Sequence, residues 1–573
     1  MLIIFFPISI VLPFVPALLF STRASLRWAD NRSLRLLIGL AIFVFWLTCF
    51  LLFPSGATLV SGESLWGIDF SLQVSPLEYI ILLLLALIFI LSQFHPLKSE
   101  ESKGSIWSLV FWGWGFTQLF VLSSALLPEI FFLLMWGLIP IIRLSLPGGD
   151  AGKEDGTRMT YFISAVGISL LFAWITGFGK LGFPLLCSFA VPTSRATSVG
   201  LVFAGIALLT LLGGTPFSSY NYVLRQKVKP QERMAFSFQL IVLGGYLMIK
   251  LSSVFAYGGS FLPFLVLGSI AILGGGFSAL KEPVPERYRV QLSSLYFGLL
   301  LLFLGAGNPP GASTVVLGIL LSLIIFAILE LLWLWRMALP GISRITSWAL
   351  VIIMCGLPPT SGYFLWNWGY SSLLLLPLWQ KIVFIPIVVL GQGLLLSAIL
   401  RIRPTKVQDQ NSAGKNTVPK SKLVIVPFAF GLLALAFGPL WSNLTSWGQS
   451  GRLPIGDISG SWGFNWSVYI GLLILIGVGA AILLHSLSRK APGKLSGGEN
   501  LIFHLPPMSI LYKASNGGWF DSYRYLYYGI RFISFALIRV ERAIDRMPAS
   551  ITWLLTLPGR LLYDRLFRNM KGK

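Results

Sequence analysis

Charge is what this sequence has least of. Asp, Glu, Lys and Arg make up 11% of its 573 residues, against 55% hydrophobic residues. A soluble chain of this size needs far more charge on its surface, so lipid must face most of these side chains. Cysteine is nearly absent. Cys49, Cys187 and Cys355 each sit in an apolar stretch and form no CxxC pair, so they read as small buried residues rather than redox or metal groups. Histidine is as scarce: His95, His485 and His504 are scattered, which leaves no metal cluster and no haem ligand pair. HExxH, GxSxG, paired aspartates inside apolar runs and a phosphate loop are all missing. Gly274-Gly275-Gly276 lies in an apolar run without the Gly-Lys-Ser/Thr ending that phosphate binding uses. No catalytic residue, metal or cofactor is expected. No positive charge precedes the first apolar run, so residues 1–20 read as a retained helix rather than a cleavable signal.

What the chain does have is apolar runs long enough to span a bilayer. They fall at 1–20, 36–53, 76–94, 106–126, 129–146, 160–178, 198–216, 234–255, 259–280, 290–306, 313–335, 346–370, 380–400, 423–440 and 467–486. The expected fold class is an all-α integral membrane protein of about fifteen transmembrane helices. Residues 181–192 are apolar but short and read as a loop or re-entrant piece.

The formal net charge is +22. In a soluble protein that would suggest nucleic acid; here no aromatic–basic interleaving accompanies it, and nucleic acid is not an expected partner. The charge alternates instead. Odd loops hold Arg23, Arg27, Arg32 and Arg35; Lys98 and Lys103; Lys153 and Arg158; Arg225, Lys227, Lys229 and Arg233; Lys281, Arg287 and Arg289; Arg336 and Arg344; and six cations between Arg401 and Lys422. Even loops hold only Lys180, Arg195 and Arg452, with Lys381 at a span edge. Basic loops stay in the cytoplasm, so the N-terminus is expected outside the cytoplasmic membrane and the C-terminus inside.

Two spans carry helix breakers, Gly213, Gly214 and Pro216 in one and Gly356, Pro358 and Pro359 in the other. Proline removes a backbone donor and glycine relaxes the helix. Interruptions at corresponding places in two halves point to inverted repeats. The last eighty residues differ. From Asp521 to Arg546, Ile530, Ile533, Leu537, Val540 and Ile544 recur at helical spacing, while Arg524, Arg531, Arg539, Arg542 and Arg546 mostly take other faces. This is a basic amphipathic helix, expected to lie along the cytoplasmic face of the membrane or on a partner.

The motifs around the breaks form an ordered set. Gly213-Gly214-Thr215-Pro216-Phe217 precedes Glu232-Arg233-Met234 and Leu243-Gly244-Gly245-Tyr246-Leu247. Arg287-Tyr288-Arg289-Val290-Gln291-Leu292-Ser293-Ser294, Gly356-Leu357-Pro358-Pro359-Thr360-Ser361-Gly362-Tyr363-Phe364 and Gly517-Gly518-Trp519-Phe520-Asp521-Ser522-Tyr523 follow. With Leu134-Met135-Trp136, this set resembles the proton-antiporter-like membrane subunits of respiratory complex I, found also in membrane-bound hydrogenases and multisubunit cation antiporters. The resemblance covers roughly residues 105–400 plus the tail. It implies N-terminal helices over 1–105, a core of two inverted repeats over 106–400, further helices over 401–490 and a cytoplasmic-side tail with a lateral helix over 491–573.

Members of that family move protons through buried charged residues, and this chain departs from them at those places. Where the resemblance implies a glutamate after Trp136 stands Gly137; where it implies a lysine stands Leu211; where it implies a lysine or histidine stands Val242; where it implies a lysine or glutamate late in the sequence stands Trp366. Gln239 is the polar residue nearest Val242, and Glu330, within Leu320–Trp335, is the one ionisable residue well inside its span. Buried charge is costly and is kept where it works or is paired. The ion-path candidates are therefore Glu330, Lys250, Glu129 and Gln239, although Lys250 lies near a helix end and could snorkel. Glu78, Glu129, Arg143 and Lys381 also lie near span ends and read as interfacial anchors.

The favoured function is a membrane subunit of a complex-I-like, quinone- or hydrogenase-type oxidoreductase complex, without redox chemistry of its own. Its proton path is degenerate and its role is scaffolding or tethering among other hydrophobic subunits and lipid. The alternatives are a rewired ion route through Glu330 and a free-standing secondary transporter. Truncation after Lys513 is expected to weaken assembly of neighbouring subunits, as read by co-purification; an intact complex lacking the tail refutes the tether.

Overall fold

The computed structural model describes residues 2–21, 31–53, 57–60, 71–93, 104–123, 126–145, 150–173, 175, 195–212, 230–255, 259–281, 285–338, 340–358, 360–401, 431–432 and 464–489. All belong to the first of the two units into which the chain divides, Met1–Phe520 and Asp521–Lys573. The lateral helix expected in the tail lies outside the described residues, as does most of the span expected at 423–440.

Helix dominates. The helices are α1 Leu2–Val11, α2 Phe14–Ser21, α3 Arg32–Leu52, α4 Pro76–Gln93, α5 Gly104–Leu122, α6 Leu126–Ser145, α7 Asp150–Ala173 and α8 Arg195–Leu212. They continue with α9 Pro230–Phe255, α10 Leu262–Lys281, α11 Pro285–Gly305, α12 Pro309–Ala338, α13 Pro340–Cys355, α14 Ser361–Leu374, α15 Leu378–Arg401 and α16 Phe464–Arg489. Proline opens α4, α9, α11, α12 and α13, where its missing N–H has no intrahelical acceptor to lose. Among the described residues, eight helices are long and apolar enough to cross a membrane, and shorter apolar helices accompany them. The chain is a multi-pass membrane protein.

One element is not helical. In the loop before α4, β1 (Ala57–Val60) pairs antiparallel with β2 (Ser71–Val74), a short addition to an otherwise all-α membrane fold. Leu72 of β2 also bridges Ser123 at the end of α5. The hairpin therefore marks one end of the bundle. At that same end, Gly259 and Phe261 donate to the carbonyls of Gly307 and Gly305 (3.1 and 2.8 Å), which joins the α9–α10 turn to the α11–α12 turn.

The middle of the bundle is dense. Residues of α9, α11 and α12 are buried almost throughout, whereas α3 turns Leu37, Leu40, Val44 and Leu51 outward. Helices α10 and α11 pack backbone to backbone: a Cβ on Gly268 would lie 2.7 Å from the carbonyl oxygen of Gly298. Such close approach is how helices gain contact where lipid supplies no hydrophobic drive.

Helix α13 ends at Cys355 and α14 begins at Ser361. Gly356 turns the chain with φ +77°, a conformation that strains any residue with a Cβ. Its N–H reaches the Ile353 carbonyl at 3.1 Å, and the Trp366 indole N–H takes the Met354 carbonyl at 2.7 Å. The break thus leaves those two carbonyls partnered inside the protein, as membrane depth requires. The other expected break cannot be followed in this way: α8 stops at Leu212, and Gly213, Gly214 and Pro216, like Pro359, lie outside the described residues.

Gly362 sits against this break, and a Cβ there would come within 1.7 Å of the Ile353 carbonyl oxygen. Gly362→Ala is expected to lower stability by about 1–3 kcal/mol, the usual cost of overpacking, seen as a lower midpoint of thermal unfolding in detergent.

Candidate functional site

Three helices bring ionisable side chains together at the hairpin end. Glu129 at the start of α6 pairs with Lys250 near the end of α9, with the two side chains 0% and 2% exposed. The Lys250 ammonium also donates to the Ser123 carbonyl at 2.6 Å and lies 4.9 Å from the centre of the Tyr246 ring. The Tyr246 hydroxyl donates to Glu78 Oε1 at 2.8 Å. Glu78 Oε2 accepts from the Ser75 N–H at 2.7 Å and from the Ser75 hydroxyl. A continuous polar chain therefore runs from Ser75 through Glu78, Tyr246 and Lys250 to Glu129. It is tied to β2 at two points, through Ser75 just past the strand and through Ser123 opposite Leu72.

The expectation of interfacial anchoring fails for Glu78 and Glu129, and that of snorkelling fails for Lys250. All three are buried in protein. Nearness to a span end fixes depth but not facing, and here the side chains turn inward to one another. Arg143 is likewise buried.

Gln239, Tyr246 and Lys250 stand seven and four residues apart, one face of α9. Gln239 lies about 16 Å from Lys250 along the helix at 1.5 Å per residue. The Trp136 indole N–H donates to its Oε1 at 2.8 Å, and its Nε2 donates to the Val110 carbonyl at 3.2 Å. Both ends of this amide are thereby occupied. Val242 and Leu243, buried and apolar, come between it and Tyr246.

Glu330 of α12 belongs to a different place. It pairs with Arg289 near the start of α11, and that start lies opposite the hairpin end. Arg289 is thus a buried helical residue rather than the loop cation that its neighbours suggested. Glu330 lies eight residues before the Ala338 end of α12, in the half of the helix away from the hairpin. At the same end Arg35 donates to Gln93 Oε1 at 2.9 Å and lies 4.3 Å from the centre of the Trp107 ring.

The four uncharged replacements are packed. A Cβ on Gly137 would sit 2.3 Å from Ile163 Cδ1. Leu211 is buried and faces Gly244 of α9; Val242 is buried beside it in the core. Trp366 stacks on Tyr370 with ring centres 5.9 Å apart and meets Phe303 edge-on. Among the described residues, the charged side chains buried in the bundle gather at its two ends. Between them the polar groups are neutral: Gln239, Tyr296 on the Gly318 carbonyl (2.9 Å) and Tyr370 on Gln392 (2.7 Å). No group of three or more metal-ligating side chains occurs among the described residues.

Sequence reasoning missed Tyr246, Ser75, Ser123 and Arg289. The common face of residues 239, 246 and 250 was the one signal for Tyr246. The others are joined only by tertiary contact.

No family model and no curated protein matches the sequence. Solved structures do match its fold. A chain of the Mrp complex from a Dietzia species has 15% identity and a TM-score of 0.70, over 99% of this chain and 63% of that one. A chain of respiratory complex I from Thermus thermophilus with bound NADH has 15% identity and a TM-score of 0.57, over 83% and 99%. A chain of the membrane-bound sulfane sulfur reductase, an archaeal respiratory membrane complex, has 14% identity and a TM-score of 0.67, over 98% and 99%. The chain spans 63% of the length of the Mrp chain. Its fold is the one these subunits share.

Gln239→Leu would leave the buried Trp136 N–H without an acceptor, at a cost of about 1–3 kcal/mol. Trp136→Phe added to Gln239→Leu is expected to recover most of the loss, as measured by a double-mutant cycle of thermal stability.

Proposed function

We propose that this chain is an antiporter-like membrane subunit of an energy-converting, complex-I-like oxidoreductase. Its own ion path is closed, and it works as a spacer and tether. The observation that carries the reading is Gln239, held at both ends by Trp136 and the Val110 carbonyl, with apolar side chains packed at Leu211, Val242 and Trp366. Proton relays need titratable groups within hydrogen-bond or single-water reach of each other. The hairpin-end cluster and the Arg289–Glu330 pair stand at opposite ends with neutral groups between them.

The fold likeness to chains of the Mrp complex, complex I and the sulfane sulfur reductase supports membership of a multisubunit membrane assembly. Electron transfer belongs to partner subunits. The chain crosses the cytoplasmic membrane fifteen times in this reading, with the core of 106–400 made of two inverted repeats. Its N-terminus is outside, and the lateral helix of 491–573 lies along the cytoplasmic face and binds neighbouring subunits. The clustering of Arg35, Arg143 and Arg289 at the end opposite the hairpin supports that orientation.

A second reading, a rewired route through Glu330, draws on its part-buried pairing with Arg289. A free-standing transporter is the third, and it leaves the basic tail without a role. Glu330→Gln separates the first two. Closed-path scaffolding expects proton pumping by the assembled complex to stay at the wild-type rate, measured in vesicles. A pumping loss of tenfold or more with assembly intact would move the assignment to the Glu330 route. Purification of a stable lone chain, without other hydrophobic subunits, would sink the subunit reading altogether.

A further inference from the structure

We infer that the first turn of α15 binds the phosphate of an anionic phospholipid, whose acyl chains lie along the outer face of the same helix. The donors are the N–H groups of Leu378, Trp379 and Gln380, the Gln380 amide and the Lys381 ammonium.

The neighbouring helices fix the place of this turn in the membrane. Asn308, in the α11–α12 turn at the hairpin end, donates to the Ser372 carbonyl at 2.9 Å, so the turn from α14 to α15 stands at that end. The apolar stretch Leu378–Leu400 has 23 residues, about 34 Å at 1.5 Å per residue. The hydrocarbon core is about 30 Å thick, so the first turn of α15 reaches headgroup level. Leu378 and Ile382 are 74% and 67% exposed, and Trp379 and Val383 turn outward with them. Tryptophan is the side chain that membrane proteins favour at that boundary.

Free donors gather in this turn. A helix start leaves N–H groups without intrahelical acceptors. The Lys381 N–H takes the Pro377 carbonyl at 3.0 Å, but among the described residues nothing accepts from the N–H groups of Leu378, Trp379 or Gln380. Gln380, third in the helix, is 5% exposed, and its Oε1 is buried without a hydrogen-bond partner. Helical side chains tilt toward the N-terminus, which carries this amide and the half-buried Lys381 back toward the free N–H groups. A buried amide left without a partner costs free energy. A half-turn of its end group presents the NH2 to a phosphate oxygen.

Charge favours an anion here. The helix start carries a partial positive charge. No acidic residue occurs between Glu330 and Asp409, and the first turn of the adjacent α10 has none. Lys381 is also one of the few cations on the side whose loops carry almost none, and a bound phosphate accounts for it. The inference goes beyond the subunit reading, because a phospholipid can be held whether or not an ion path or a partner subunit is present.

The test uses the full chain with whatever subunits co-purify, in phosphatidylcholine vesicles. These contain phosphatidylglycerol with a photoreactive group beside its phosphate, and the labelled peptide is mapped. Label is expected within residues 375–383. Lys381→Gln is expected to lower that labelling about fivefold, the effect of one cation near an anionic headgroup, and Lys381→Arg to retain it. Gln380→Leu keeps every charge and is expected to lower labelling about tenfold through the lost charge-assisted hydrogen bond. Excess unlabelled phosphatidylglycerol should compete, and excess inorganic phosphate should not. Absence of label from this peptide overturns the inference. Wild-type labelling of Gln380→Leu overturns it too, because unspecific attraction of Lys381 to an anionic surface then suffices. Competition by inorganic phosphate makes the site one for a soluble anion and overturns the lipid assignment. Should Gln380→Leu fail to assemble, Gln380→Glu decides: it keeps the shape and adds a repelling charge, so labelling is expected to vanish, and wild-type labelling refutes the site.

Discussion

Lys250 and Glu129 meet buried in protein, and four helices are fixed by the consequences. Removing charge from water costs several kcal/mol per ion unless a close partner and further hydrogen bonds offset it. The ammonium therefore needs the α6 carboxylate and the Ser123 carbonyl at the end of α5 together. Tyr246, one turn earlier on α9, extends the same constraint to α4 through Glu78. The hairpin follows, because Ser75 and Ser123 serve the cluster and flank β2 or bridge to it. The positions of α4, α5, α6 and α9 at that end are thus set by where charge can be tolerated.

The same constraint explains the neutral middle. Among the described residues no charged side chain sits there, and apolar packing fills the space. Leu211 against Gly244, Gly137 against Ile163 and Trp366 against Tyr370 fill the volume. A glutamate at position 137 would need Ile163 to move as well as a partner for its charge. Among the described residues, the apolar filling of the centre is therefore shared by several packed helices. This is the physical link between the composition, poor in charge, and the proposal of a spacer.

Much of the fold was legible in the residues. Apolar runs gave the helices because lipid thickness fixes their length. The gap between Cys355 and Ser361 falls where glycine and proline cannot continue a helix. Facing and pairing were much less legible. Glu78 and Glu129 looked like anchors, since a sequence window gives depth but not direction. Arg289 looked like a loop residue because cations usually end spans, yet α11 begins before it and carries it inward onto Glu330. The hairpin was missed for want of length: four residues per strand leave too little alternation to read.

The bond between Tyr246 and Glu78 joins residues 168 positions apart, which bears on how the chain is made. At about 5–20 residues per second, the ribosome delivers the tyrosine roughly 10–30 seconds after the glutamate. Lys250 follows Glu129 after a wait of similar order. Until α9 arrives, Glu78 lacks its Tyr246 partner and Glu129 its Lys250 partner. The arrival of α9 is therefore the step that completes this polar cluster.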